Sequence, residues 1–262
     1  AYSDKEEAII VCREISRLKC KDKCEYSDFA ILYRTNSQSR SFEEEMRKQN
    51  IPYRIYGGLS YYQRKEIKDI IAYFRLIGNH HDEEAIKRII NYPVRGIGNT
   101  TITKITASAQ KFGVSLWEVI CHPVNYQLDI NKGTIAKLDA FRELISSFIE
   151  NASTTDAYEL GKKIIKVSGI SAELFSSTDS ESLSRQENLE EFLSGMRDFV
   201  EIRKEEGRGN EIYLTDYLHE ISLISDLDSE RDEESRVMLM TVHTAKGLEF
   251  PNVCVVGLEE NI

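Results

Sequence analysis

The segment from Thr241 to Phe250 packs chemically different side chains between two apolar runs. It contains a hydroxyl, an imidazole, an ammonium group, a glycine and a carboxylate, at Thr241, His243, Lys246, Gly247 and Glu249. Lysine and exposed glycine amides favour anions, and a carboxylate accepts hydrogen bonds from sugar hydroxyls. This mixture favours contacts to phosphates and to a sugar, although a single histidine in a loop is more often structural than catalytic.

A second polar segment follows the apolar run 29–33 and precedes a helical pattern that includes Phe42 and Met46. Its candidate binding residues are Arg34, Thr35, Asn36, Ser39 and Arg40. Guanidinium groups, hydroxyls and amides near the start of a helix are typical of phosphate-binding loops. A solvated helix cap with surface arginines is an equally good interpretation of this composition.

A third segment, from Pro93 to Thr101, places Gly-Ile-Gly ahead of a helical pattern. Glycine lets backbone N–H groups approach a phosphate closely, and the neighbouring arginine and threonines add donors. The candidates are Arg95, Gly96, Ile97, Gly98 and Thr100. An ordinary glycine-rich turn fits about as well. Aromatic residues could stack on bases, but their helical spacing is more typical of a core: Tyr61, Tyr62, Tyr73, Phe74 and Tyr92.

Apolar runs of strand length lie near both ends of the chain and position the first two segments. They cover residues 29–33, 237–242 and 253–256, and another short strand is predicted over 53–56. Such runs suit strands covered on both faces, and strand, polar turn, helix is the repeating unit of a parallel sheet. Parallel sheets bind ligands at the carboxyl ends of their strands, where these two segments lie. A helix is also predicted from Ser3 to Leu18.

The middle of the chain, from about residue 63 to residue 227, has a helical period and no convincing strand. Helices are predicted over 63–77, 82–90, 99–111, 114–121, 133–149, 154–167, 182–205 and 212–221, with N-caps at Ser115, Thr154 and Ser182. Because the first strands alone do not complete a parallel sheet, the last ones must return to it. The sequence therefore predicts an α/β domain in two parts, 1–62 and 235–262, interrupted by a helical insertion at 63–234.

The charge balance excludes a protein coated with nucleic acid. The chain carries 34 Lys and Arg against 44 Asp and Glu, a net charge of −10, and the run DLDSERDEE at 226–234 supplies half of it. A protein that grips DNA through a few loops fits this balance. Five cysteines, an odd number, favour a reducing compartment such as the cytoplasm. Cys20 and Cys24 lack zinc spacing and a nearby histidine, so no metal site is predicted, and neither a secretory signal nor a membrane span is visible.

Four stretches together resemble the superfamily 1A DNA helicases of the UvrD/Rep/PcrA family, in the order in which the family carries them. They are 32–40, 53–58 with 64–69, 95–98 and 241–251. The resemblance covers essentially the whole chain. It implies a RecA-like (P-loop NTPase-type) parallel-sheet domain, 2A, interrupted by a mobile helical domain, 2B, in the second motor half of an ATP-dependent 3′-to-5′ DNA helicase.

The resemblance also implies roles for the polar segments. Glu249, beside Gly247, would meet the ribose of ATP, whereas Thr241, His243 and Lys246 would lie towards single-stranded DNA or the coupling network. Segment 34–40 would lie on the single-strand track, and segment 95–100 against the duplex backbone. The implied partners are single-stranded DNA and duplex junctions, the N-terminal motor half of the same parent chain, and repair or replication proteins. The implied location is the bacterial cytoplasm at the nucleoid, without a membrane.

Members of this family carry motifs that are absent from this sequence. They include the phosphate-binding loop G-x-x-x-x-G-K-[ST], the acidic pair that holds Mg²⁺, and two further motif arginines. Hydrolysis of ATP cannot be assembled without them. We therefore expect a piece of a parent helicase that uses ATP and Mg²⁺, with neither bound by the piece alone, which is catalytically inert. The alternatives are a non-catalytic helicase-like DNA- or protein-binding module and a subunit of a helicase-nuclease.

Overall fold

The computed structural model describes residues 3–225 and 235–258, so the acidic run at 226–234 lies outside the described residues. The chain divides into two compact units. One, called here the sheet unit, comprises Ala1–Ile67, Leu183–Glu191 and Ile221–Ile262. The other, the helical unit, comprises Lys68–Ser182 and Phe192–Glu220.

The sheet unit contains a parallel sheet. Its strands are β1 (Phe29–Tyr33), β2 (Tyr53–Ile55), β3 (Val237–Thr241) and β4 (Asn252–Val255). They lie in the order β2-β3-β1-β4, and all three pairings are parallel. This confirms the predicted α/β class and the return of the last strands to the sheet begun by the first.

The core of the sheet unit lies between one face of the sheet and two helices, α1 (Asp4–Asp22) and α2 (Ser39–Lys48). Alternate β1 residues face this core, which is why Phe29, Ile31 and Tyr33 are almost fully buried. On the opposite face Ala30 is buried as well, so the predicted coverage of β1 on both faces is confirmed.

Strand β4 differs from the prediction of a fully covered strand. Val253 and Val255 are each 48 % exposed, whereas Cys254 and Val256, at the intervening positions, are partly buried and buried. Only the face of β4 that carries Cys254 packs on the described core, together with Val256 just after the strand.

The remaining helices follow in chain order, and no strand occurs between them among residues 63–225. They are α3 (Lys65–Gly78), α4 (Glu83–Ile89), α5 (Asn99–Phe112), α6 (Leu116–Cys121), α7 (Lys132–Ile149), α8 (Ala157–Val167), α9 (Ile170–Leu174), α10 (Ser180–Glu205) and α11 (Leu214–Ser225). Each predicted helix has a counterpart. The short helix α9 was not predicted, because its five residues give too little periodicity to recognise.

Of the three N-cap residues predicted from the sequence, one is confirmed and two are wrong. Ser115 caps α6 as predicted, accepting a hydrogen bond from the backbone N of Glu118. Thr154 and Ser182 are not N-caps, since aspartates take that position: Asp156 caps α8 and Asp179 caps α10. Ser182 instead lies inside α10, with its backbone N–H donating to the Asp179 carboxylate at 2.9 Å.

Four of the five aromatic residues considered for base stacking belong to the cores, and the fifth, Tyr92, is half-buried. Tyr61 and Tyr62 are buried in the sheet unit, and Tyr73 and Phe74 in the helical unit. Close packing in the helical unit also explains Gly161 on α8, where an added Cβ would lie 2.6 Å from the methyl group of Met196. No helix in the described part of the chain is long and apolar enough to cross a membrane.

Candidate nucleic-acid interface

The sheet brings two of the three polar segments together. Tyr33 at the end of β1 is paired with Thr241 at the end of β3, and the backbone N of Val242 donates to the carbonyl of Tyr33 at 2.9 Å. Because the strands are parallel, the β1 loop (Arg34–Gln38) and the β3 turn (Val242–Glu249) leave the same edge side by side. This is the edge at which such sheets bind ligands.

The β1 loop has a fixed internal structure. The Gln38 side-chain oxygen accepts from the backbone N–H groups of Arg34 and Thr35, at 2.9 and 3.1 Å. The hydroxyls of Thr35 and Ser37 lie 2.7 Å apart and bond to each other. As a result the side chains of Arg34 and Asn36 are the exposed ones of this loop.

The next two candidate residues, Ser39 and Arg40, point into the sheet unit. Ser39 is fully buried, with its hydroxyl 2.8 Å from the Glu43 carboxylate. Arg40 is only 7 % exposed, and its guanidinium donates to Glu191 at 2.6 Å and to Glu44 at 3.0 Å. The structure therefore places both side chains beneath the interface, where they hold the start of α2.

The ion pairs of Arg40 affect the pKa values of its two carboxylate partners, Glu44 and Glu191. Burial acts to raise the pKa of Glu44, but Arg40 and the Tyr62 hydroxyl outweigh it and hold that pKa below its usual value. At Glu191 burial dominates and raises the pKa, with Arg40 opposing it. The guanidinium thus compensates buried negative charge inside the protein.

The β3 turn exposes its charged groups. Thr241 and Thr244 bond to each other through their hydroxyls at 2.7 Å, and the backbone N of Ala245 donates to the carbonyl of Thr241 at 3.1 Å. The residues that follow or flank this bonded pair are exposed: His243, Lys246, Gly247 and Glu249. Gly247 has a φ of +87°, which lets the chain turn there.

The ends of β2 and β4 complete the edge. An added Cβ at Gly57, just after β2, would lie 2.7 Å from Thr244, so glycine is what allows these two turns to touch. After β4, the backbone N of Gly257 donates to the Glu7 carboxylate at 3.2 Å. A side chain at Gly257 would collide with Gln38, the residue that organises the β1 loop.

The third polar segment lies in the helical unit, where Arg95 is turned inward. Its Nη1 donates to the carbonyls of Ile89 at 3.0 Å and Tyr92 at 2.8 Å, and its Nη2 donates to the Tyr73 hydroxyl at 2.6 Å and the Ser168 carbonyl at 3.2 Å. These carbonyls follow the C-terminal ends of α4 and α8, where helices leave acceptors unsatisfied. Arg95 therefore closes two helix ends.

The rest of this segment, called here the glycine loop (Pro93–Gly98), presents backbone. Asn91 Oδ1 accepts from the backbone N–H groups of Arg95 and Ile97, both at 3.0 Å, and Ile97 is fully buried. Gly96 and Gly98 are exposed, as is Thr100 in the first turn of α5. The exposed surface therefore consists of the Val94 side chain, which is 83 % exposed, glycine backbone and the start of α5, while the Arg95 guanidinium is turned inward.

Two exposed groups of the β3 turn have the chemistry to contact a sugar. The exposed carboxylate of Glu249 and the amide of Gly247 are suited to a sugar hydroxyl and its neighbouring atoms. Among the described residues no group of three or more His, Cys, Asp or Glu side chains is arranged to hold a metal ion.

Three residues that the sequence analysis did not single out lie directly beneath the β1 loop. They are Glu43, Arg64 and Asn188, all buried. Arg64 had a sequence signal, since it belongs to the motif 64–69, but the position of Asn188 more than a hundred residues later could not be inferred from spacing.

A parallel α/β sheet with polar loops along its carboxyl edge is the architecture expected of a RecA-like α/β domain. The UvrD-like helicase C-terminal domain matches residues 1–262, and the chain belongs to this family.

The chain is similar to curated proteins over its full length. It is 38 % identical, over 262 residues, to proteins named ATP-dependent DNA helicase PcrA from Staphylococcus epidermidis, Leuconostoc citreum and Staphylococcus aureus. In each case the match covers 100 % of this chain and 35 % of the relative. The chain thus spans about a third of the length of these relatives.

Proposed function

We propose that this chain forms part of an ATP-driven DNA helicase that moves 3′-to-5′ on single-stranded DNA. The observation that carries the proposal is the pairing of Tyr33 with Thr241, which sets the β1 loop beside the β3 turn in a chain of the UvrD-like helicase family. The names of the similar proteins support DNA as the partner and ATP as the energy source.

In this proposal the exposed residues of the edge touch single-stranded DNA. Arg34 and Asn36 of the β1 loop and His243 and Lys246 of the β3 turn supply donors to phosphates and sugars. The other candidates act by shaping the two loops: Thr35, Ser39 and Arg40 under the first and Thr241 under the second.

The helical unit has the duplex-contacting role. The glycine loop and Thr100 present backbone and hydroxyl donors to duplex phosphates, and Arg95 holds this surface in place from below. We assign the mobile insertion, 2B, to the helical unit and the interrupted domain, 2A, to the sheet unit. The bounds predicted from the sequence, 63–234 for 2B and 1–62 with 235–262 for 2A, differ from these units because residues 63–67, 183–191 and 221–225 lie in the sheet unit.

Nucleotide chemistry needs the rest of the motor. Glu249 and Gly247 contribute on the ribose side of ATP, and the other motor half supplies the phosphate-binding loop and the Mg²⁺ ligands. We therefore propose that the 262 residues alone do not hydrolyse ATP. Turnover by the pure chain, stimulated by DNA and above a buffer blank, would contradict this.

DNA binding by the chain is tested by fluorescence anisotropy with a labelled oligo(dT). We expect weak binding whose logarithm falls linearly with the logarithm of salt concentration, because it depends on phosphate contacts. Lys246→Ala should weaken binding, whereas Lys21→Ala on α1, which is also exposed, should not. Absent binding, or binding insensitive to salt, contradicts the proposal.

Polarity is tested in a protein that joins this chain to a motor half with a phosphate-binding loop. Partial duplexes with a 3′ or a 5′ single-stranded tail are compared as unwinding substrates. We expect unwinding with the 3′ tail, and preference for the 5′ tail would refute the proposed direction.

A further inference from the structure

A buried chain of hydrogen bonds in the sheet unit ends on the backbone of the β1 loop. Arg64 Nη2 donates to the carbonyl oxygen of Asn36 at 2.8 Å, and Arg64 Nη1 donates to Asn188 Oδ1 at 2.7 Å. Asn188 Nδ2 in turn donates to Glu66 Oε1 at 2.7 Å. We propose that Arg64, Asn188 and Glu66, called here the loop latch, position the β1 loop for single-stranded DNA without touching the DNA; this rests on the function proposed above.

The latch is buried, which makes its hydrogen bonds obligatory. Arg64 and Glu66 are each 7 % exposed and Asn188 is 3 % exposed. A buried polar group that loses its partner costs more than an exposed one, because water does not replace the bond. The three side chains therefore keep their arrangement only as a set.

Arg64 is held on the other side as well. Its Nη2 also donates to the Ser39 hydroxyl at 2.8 Å, and its guanidinium lies 4.9 Å from the centre of the Tyr61 ring. The hydroxyl of Tyr61 donates to the backbone carbonyl of Asn188 at 2.7 Å. These contacts fix the planar guanidinium, so the direction of its bond to Asn36 is fixed too.

The β1 loop consequently has two internal anchors. Gln38 holds the amides of Arg34 and Thr35, and Arg64 holds the carbonyl of Asn36. The exposed side chains of Arg34 and Asn36 project from the backbone between these anchors. Hydrogen bonds to phosphate weaken steeply with distance and angle, so releasing the inner anchor weakens DNA contacts made by the outer side chains.

The amide of Asn188 suits this position because it can accept a hydrogen bond on one side and donate one on the other. Its oxygen accepts from the positive Arg64, and its nitrogen donates to the negative Glu66. An aspartate at this position keeps the first bond but faces Glu66 with a second carboxylate. Changing Glu66 to glutamine at the same time restores a donor opposite the new carboxylate.

This exchange gives the test, with anisotropy of labelled oligo(dT) on the 262-residue chain. We expect Asn188→Asp to lower single-strand affinity about tenfold, and Asn188→Asp with Glu66→Gln to restore it to within about threefold of wild type. Glu190→Gln, at an exposed position on α10 outside the latch, is the matched control and should bind like wild type. The proposal is overturned if Asn188→Asp binds like wild type, or if the double variant binds as weakly as the single one.

A second measurement separates the latch from the proposed function. Hydrogen exchange of a peptide covering the β1 loop should speed up in Asn188→Asp, recover in the double variant and stay unchanged in β1. Wild-type protein that does not bind DNA refutes the proposed function, while the exchange data still report whether the latch holds the loop. Unchanged exchange in Asn188→Asp refutes the latch, even where wild type binds DNA.

Discussion

The β1 loop and the glycine loop both lie beside arginines and both precede a helix, but they use arginine differently. In the first region one arginine, Arg34, is exposed, while Arg40 is buried between the carboxylates of Glu44 and Glu191. In the second region Arg95 is held by backbone carbonyls and a phenol. An arginine beside a polar or glycine-rich turn therefore often builds the turn, and the exposed surface comes from its neighbours.

The helices around each loop explain this difference. The β1 loop leads into α2, whose sequence supplies Glu43 and Glu44 close to the loop, so Arg40 meets charged acceptors. The glycine loop follows α4, whose last carbonyls have no partner within the helix, so Arg95 meets neutral acceptors at a helix C-terminus. Removing these two arginines should have unequal consequences.

The largest effect is expected for Arg40→Ala. It leaves the buried carboxylates of Glu44 and Glu191 without their cation, and breaking a buried ion pair costs about 3–5 kcal/mol of unfolding free energy. Urea unfolding followed by circular dichroism measures the loss. Arg54→Ala, at an exposed position on β2, is the control and should change stability by less than about 0.5 kcal/mol. A loss below about 1 kcal/mol for Arg40→Ala would show that this arginine does not compensate buried charge.

Arg95→Ala should cost less, about 2–3 kcal/mol, because the acceptors left behind are neutral and only partly buried. The loss should be confined to the helical unit, which the fluorescence of Trp117 on α6 reports. Lys137→Ala is the matched control, since this exposed lysine makes a single bond to the Gly96 carbonyl, at 3.1 Å. If both variants are equally stable, Arg95 does not close the helix ends.

The two regions should also differ in pH dependence. Burial raises the pKa of Glu43 to about 7, against the opposing effects of Arg47, the Ser39 hydroxyl, Arg64 and the Tyr61 amide. A folded-state pKa above the unfolded value means that the contribution of Glu43 is fully present below about pH 4.5 and is lost as the pH rises through about 7.

Relative to Glu43→Gln, the unfolding free energy of wild type should therefore fall by up to about 3 kcal/mol between about pH 5 and pH 8. The difference between wild type and Arg95→Ala should stay constant over that range, because its partners are carbonyls and Tyr73, whose burial raises its pKa to about 12. Unfolding of the three proteins across this range measures both slopes. If the stability difference between wild type and Glu43→Gln changes with pH no more than the difference between wild type and Arg95→Ala, the two regions do not differ in pH dependence.

The smallest effect on stability and the most specific effect on binding are expected for Arg34→Ala. Its side chain is exposed, so unfolding should change by less than about 0.5 kcal/mol. Affinity for oligo(dT) should fall several-fold, and the slope of its salt dependence should decrease by about one phosphate contact. An unchanged salt slope would place the DNA contacts of this edge on other residues.

Much of the secondary structure was predictable because it follows local periodicity. The limits of β1 agree with the sequence prediction, and each long helix has a counterpart. The placement of the β1 loop and the β3 turn at the carboxyl ends of their strands was expected, whereas only the structure makes them neighbours, through the pairing of Tyr33 with Thr241. The half-exposed face of β4 was not predictable, because a continuous apolar run does not reveal which neighbours a strand has.

The candidate site was predictable as a set of segments but not as a set of exposed side chains. Arg34 and Arg40 look equivalent in sequence, yet the partner that buries Arg40, Glu191, lies 151 residues away. Arg95 depends in the same way on the Ser168 carbonyl, 73 residues away. Such partners are chosen by packing, which no local pattern encodes.

The sequence by itself determined the parallel α/β class, the helical middle of the chain, the polar segments and the family to which they point. These follow from residue period, turn chemistry and motif order, all of which are local. Only the tertiary structure decided which polar groups remain at the surface and which are used inside, because buried charges and carbonyls require partners wherever in the chain those partners lie. For this protein that requirement turns Arg40 and Arg95 inward, and leaves Arg34, His243 and Lys246 exposed.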